Sequence, residues 1–131
     1  MKKNFIIKDA VWFEFAGELL DMRGSCELAS VELRPGSSPS LKVSWRIEHS
    51  NRQVQIVFSS LEDFIVKSRD TEYPAESGTM LAIAGFSDGS YSKLEQEYYV
   101  EPSPEMSYMS FAMDDRSIFF VKAESADMRL I

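Results

Sequence analysis

Across Leu41-Lys42-Val43-Ser44-Trp45-Arg46-Ile47-Glu48 every odd position is apolar and every even one polar. A backbone that turns successive side chains to opposite sides puts the first set on a packed face and the second in water. That is the period of a half-buried β-strand. Val54, Ile56 and Phe58 repeat it, and the five residues His49-Ser50-Asn51-Arg52-Gln53 between the two runs make a hairpin loop of ordinary length. An antiparallel sheet with one wet face is the constraint that any fold of this chain has to meet.

The rest of the sequence extends that sheet. The period becomes two after Gly24. The apolar run interrupted by Ser59-Ser60 and Glu62-Asp63 resumes at Phe64-Ile65-Val66, which predicts a bulge or bend. Met80-Leu81-Ala82-Ile83-Ala84 is apolar on both parities, as a central strand would be. A final hairpin pairs Tyr108 to Met113 with Ile118 to Ala123. Beyond it, Ala126, Met128 and Leu130 take the opposite parity, predicting another bulge around Glu124-Ser125. Turns are marked by Gly and Pro at residues 35–40, 73–78, 87–90 and 101–104.

Residues 9 to 24 offer a choice. Val11-Trp12-Phe13-Glu14-Phe15 has the composition of a strand, yet at 100° per residue Glu14, Gly17, Glu18 and Asp21 fall on one stripe and apolar residues cover the rest. Asp9 suits an N-cap, and Arg23-Gly24 suit a last turn and stop. This pattern predicts an N-terminal amphipathic helix, with Gly17 counting against it. The fold expected is α+β: one helix backing a mainly antiparallel, curled sheet of about six strands in meander order. The alternative is an all-β sandwich in which residues 11 to 16 are a strand.

The 131 residues fit a single domain with its own core, spanning 1–131. Apolar content of 44% and charged content of 27% place the chain among globular proteins. No apolar run approaches the roughly 20 residues that span a bilayer. Lys8 and Asp9 cut the N-terminal apolar stretch too short for a secretory leader, and the lone Cys26 fits a reducing compartment. A cytoplasmic location is the expectation. The net charge is −7, and it owes its sign to residues 70–115, where ten acidic residues accompany one base, Lys93. Such a stretch repels phosphate, so nucleic-acid binding is not expected.

Residues able to carry catalysis are few. One histidine and one cysteine exclude a structural zinc site. A Cys26–His49 pair would join a buried thiol to a loop imidazole, and no Gly-x-Ser-x-Gly elbow, Gly-x-Gly-x-x-Gly or Walker loop is present. Carboxylate pairs occur at Glu62-Asp63, Asp114-Asp115 and Glu95/Glu97, without the spaced Asp-x-Asp-x-Asp-Gly of a calcium loop. The residues predict no catalytic site, metal or cofactor.

One cluster stands apart. All five tyrosines lie between residues 73 and 108, in the acidic stretch. Tyr91, Glu95, Glu97, Tyr98, Tyr99, Glu101 and Tyr108 form a candidate partner-binding surface, since tyrosine rings supply contact area at small entropic cost and carboxylates steer a basic partner. Tyrosine also suits half-buried strands, and acidic loops keep proteins soluble, so an ordinary solvated face fits the same residues.

Val57-Phe58-Ser59-Ser60-Leu61-Glu62-Asp63-Phe64-Ile65-Val66 and Ile118-Phe119-Phe120-Val121-Lys122-Ala123-Glu124-Ser125-Ala126 resemble the strand pairs of small bacterial immunity proteins of polymorphic toxin systems. That resemblance, over about half the chain, implies a cytoplasmic, non-enzymatic protein that binds and blocks one toxin domain. It supplies no site residues. The leading expectation is therefore a protein-binding module with a basic partner. The alternative is a small-ligand carrier or enzyme with a pocket between sheet and helix, lined by Trp12, Trp45 and phenylalanines. A third reading is a homo-oligomeric subunit.

Overall fold

The computed structural model describes residues 1–8, 12–23, 25–67, 81–89, 107–114 and 117–131. Among them every regular element is a strand: β1 (Lys2–Lys3), β2 (Phe5–Lys8), β3 (Trp12–Phe15), β4 (Glu18–Asp21), β5 (Cys26–Arg34), β6 (Ser40–Ile47), β7 (Gln53–Lys67), β8 (Leu81–Ser87), β9 (Tyr108–Met113) and β10 (Ile118–Leu130). The main sheet runs β5-β6-β7-β10-β9-β8, and a second, three-stranded sheet runs β2-β3-β4. All these neighbours are antiparallel; β1 alone pairs in parallel, with β10, Lys2 opposite Ser125 and Lys3 opposite Ala126.

The main sheet is two meanders joined at their long strands. β7 pairs with β10, which comes last in sequence, so β7, β8, β9 and β10 form a Greek key with the long connection first, in place of the single meander expected. β10 is the spine: it pairs with β7 over nearly its full length, with β9 at its start and with β1 towards its end. Just past its end, Ile131 exchanges backbone hydrogen bonds with Gln53 at 2.8 and 2.9 Å.

The alternating residues do what their period demands. Leu41, Val43 and Trp45 of β6 stand opposite Phe58, Ile56 and Val54 of β7, and all six are buried. From across the interior Phe111 of β9 packs its ring 5.2 Å from Trp45 and 6.2 Å from Phe58. The small sheet closes over this core with Phe5, Ile7 and Phe13, the first and last stacked at 5.6 Å. Burying a large apolar side chain contributes about 1.5–3 kcal/mol, so these rings dominate the stability of the fold.

The N-terminal helix and the α+β class are corrected by this architecture: the described chain is all-β, and Trp12–Phe15 and Glu18–Asp21 are the arms of a hairpin. Phe15 pairs with Glu18 across Ala16 and Gly17, whose φ angles of +52° and +80° are those of a two-residue type I′ turn. Gly17, the residue least suited to a helix, is the second residue of the turn. The strand of the all-β alternative is present at Trp12–Phe15. The helix that was to wall the expected pocket is absent from the described residues, and Trp45, named in its lining, is wholly buried. β8, expected at the centre of the sheet, lies at its end.

The irregularity expected in β7 is present as a bulge, whereas the pairing register of β10 runs unbroken through Glu124-Ser125, where a second bulge was expected. The β7–β10 ladder shifts register between Lys122 and Ala123, where Glu62 is the extra residue on β7. Nearby, Ser60 has φ of +52°, and the buried set of β10 changes parity between Ala123 and Ala126. Bulges of this kind twist a strand and re-aim its side chains. Glu62 and Asp63 are thus mid-strand residues at a bulge.

Candidate functional site

Four strands carry a row of polar side chains across the outer face of the main sheet just beyond this bulge. Asp63 of β7 stands opposite Lys122 of β10. The next ladders bring Tyr108 of β9 beside Lys122 and Ser87 of β8 beside Tyr108. The Tyr108 hydroxyl reaches past Lys122 and donates a hydrogen bond to Oδ2 of Asp63. Oδ1 of Asp63 accepts the Phe64 N–H at 2.9 Å, so both carboxylate oxygens are engaged. The Lys122 ammonium lies 5.9 Å from the centre of the Tyr108 ring and 3.7 Å from the Glu62 carboxylate.

Tyr108 is held from below as well. Its ring meets Phe120 edge-on at 6.5 Å, and Phe120 is completely buried among Ile118, Ile65 and Ala112 in a small outer core. The hydrogen bond to Asp63, then burial and the nearby carboxylates, push the phenol up to about 12. The phenol therefore stays protonated and able to donate throughout the physiological range.

Beside this row is an open depression of about 790 Å³ lined by Met1, Lys2, Glu62, Ser107, Lys122, Ala123, Glu124 and Ser125. Apart from Met1 its lining side chains are charged or small and none is aromatic, unlike the apolar pockets that enclose small ligands. Ser107 on its rim directly precedes Tyr108, which pairs with Ser87. A Cβ built on Gly89, where φ is +83°, would come 3.0 Å from the Tyr108 ring, so only glycine fits there. The Gly89 N–H bonds Ser87 Oγ at 3.3 Å, and Ser87 Oγ lies 2.5 Å from Ser110 Oγ in a buried pair.

Of the residues expected to bind a partner, Tyr108 is in this row; Tyr91, Glu95, Glu97, Tyr98, Tyr99 and Glu101 lie outside the described residues. Asp63 and Lys122 were not foreseen as its partners. The signal was present in the interrupted period at Ser59–Asp63, where β7 carries its bulge. Cys26 is 2% exposed, and its Sγ faces Met22 Sδ at 3.6 Å. Burial first, with the charges of Asp21 and Glu48, pushes this thiol up to about 11, while His49 sits exposed in the β6–β7 turn with φ of +59°. A protonated, buried thiol is not a nucleophile. Among the described residues no three His, Cys, Asp or Glu side chains gather as a metal site would require, and no helix is long and apolar enough to cross a membrane.

No protein-family model matches the sequence, and neither the curated proteins nor the solved structures yield a match.

Proposed function

We propose that this chain is a non-enzymatic protein-binding module, immunity-like in that it acts by occupying a partner's surface, with a basic protein as that partner. The contact surface is the polar row at Tyr108 together with the acidic, tyrosine-bearing segment that leaves the sheet at Gly89 and returns at Ser107. The observation that carries the reading is the pairing of Ser87 with Tyr108, with no room for a Cβ between Gly89 and the Tyr108 ring. It sets Ser87 and Tyr108, which flank in sequence the stretch holding Tyr91, Glu95, Glu97, Tyr98, Tyr99 and Glu101, side by side on the sheet. Loops presented on a fixed scaffold are where recognition residues concentrate. Carboxylates accelerate encounter with a basic partner, and tyrosine rings supply the contacts that persist after it.

The test is affinity capture with the wild-type chain and with Glu95→Lys/Glu97→Lys as baits, at about 50 and about 300 mM salt, where the screening length falls below 10 Å. A basic protein retained by the wild type at low salt, and lost with the variant or at high salt, supports the reading. Equal retention by both baits contradicts it.

A further inference from the structure

The free edge of β5 carries a second interface. β5 ends the main sheet and pairs only with β6 among the described residues. Its first half is covered, with Cys26 buried and Glu27 and Leu28 partly so, whereas Val31, Glu32, Leu33 and Arg34 are all exposed. Leu33 is 53% and Val31 36% exposed although their cross-strand partners Leu41 and Val43 are wholly buried. These two side chains point to the core side of the sheet at a place where the core has run out. Long edges with uncovered apolar residues invite another strand.

The hydrogen-bonding polarity of this edge follows from the next hairpin. The Ile47 N–H bonds the Arg52 carbonyl, so odd residues of β6 address β7 and even ones address β5. Ser30, Glu32 and Arg34 stand opposite Ser44, Lys42 and Ser40, so their backbone groups are spent on β6. The N–H and C=O groups of Val31 and Leu33 face outward.

We infer that two copies of this chain pair antiparallel through β5 about a twofold axis at Leu33. In that register Leu33 meets Leu33 of the second copy with two hydrogen bonds, and each Val31 N–H meets a Pro35 carbonyl; proline has no N–H to return, so the Val31 carbonyl stays in water. Glu32 of each copy then faces Arg34 of the other at the narrow, non-hydrogen-bonded positions where side chains come closest. Glu32 holds Lys42 at 2.8 Å through Oε2, leaving Oε1 for the second copy, and Arg34 makes no ion pair among the described residues. Shifting the axis to Glu32 would set Glu32 against Glu32, and shifting it to Val31 would run into the bulge between Leu28 and Ser30. Charge pattern and bulge together select one register, and the uncovered Leu33 side chains meet across it.

Sedimentation over a range of concentration tests this. The wild type associates to twice its 14.9 kDa mass. Arg34→Glu, which sets carboxylates opposite one another, raises the dimer dissociation constant by about tenfold. Glu32→Arg/Arg34→Glu restores complementarity and recovers it. Circular dichroism confirms that each variant is folded. In the wild type the amides of Val31 and Leu33 become protected from exchange as concentration rises. A wild type that stays monomeric at about 1 mM, a millimolar affinity being the weakest of consequence, overturns the inference, as does a dimer indifferent to Arg34→Glu.

Discussion

The carboxamide of Asn4 bonds both backbone groups of Met128: Nδ2 donates to the carbonyl at 3.0 Å and Oδ1 accepts the N–H at 2.7 Å. A side chain thereby adds one rung to the β1–β10 ladder beyond the Lys3–Ala126 pair, where the chain leaves the main sheet for the small one. Asn4→Ala strands a donor and an acceptor that are partly buried, at a cost of about 1–3 kcal/mol. Urea unfolding with an unchanged slope measures it. A loss below about 0.5 kcal/mol, the scale of an ordinary surface substitution, would mean that water replaces the carboxamide freely.

The hairpin turn makes an opposite pair of predictions. Ala16 holds φ of +52°, a region that costs a residue with a Cβ, whereas a Cβ added at Gly17 meets nothing within 4 Å and is opposed by φ alone. Ala16→Asn, which gives the asparagine-glycine sequence that type I′ turns favour, stabilises by about 0.5–1 kcal/mol. Gly17→Ala destabilises by a similar amount. Denaturation midpoints moving the other way would show that residues 16 and 17 do not form this turn.

The same hairpin shows why part of the fold was hidden in the sequence. Pairing across a two-residue turn switches the outward parity: Trp12 and Glu14 share a face with Leu19 and Asp21. Read as one segment, Glu14, Glu18 and Asp21 are spaced by four and three, which imitates a helix. The long runs at Leu41–Glu48 and Val54–Phe58 have no such break, and the β6–β7 hairpin was legible from them, as was the β9–β10 hairpin. The Asp63–Tyr108 contact joins residues 45 apart through a bulge, and no local pattern encodes where a bulge aims a carboxylate.

Tyr108 gives the pH dependence. Its phenol stands at about 12 in the folded chain against 10.0 in the absence of such interactions, so folding favours the protonated form. That stabilisation is complete below pH 10, declines as pH rises from 10 towards 12, and is gone above. A Tyr108→Phe chain lacks this component, so its stability falls less steeply than that of the wild type over the same window. Parallel curves for the two proteins would place the hydroxyl away from Asp63.

Cys26 supplies a check on the core. With the thiol pushed up to about 11 and 2% exposed, alkylation by iodoacetamide at pH 8 proceeds only through opening of the structure. Its rate in rising urea should track the unfolded fraction. Rapid modification of the native protein would place Cys26 at the surface.

Hydrogen exchange on the complex formed with a captured basic protein tests the proposed binding surface most directly. The account predicts protection on binding at residues 89–108, and at Glu62, Asp63 and the Lys122–Ser125 stretch around the depression. Protection confined to the outer faces of β2-β3-β4 or of β5 and β6, with residues 89–108 unchanged, would contradict it.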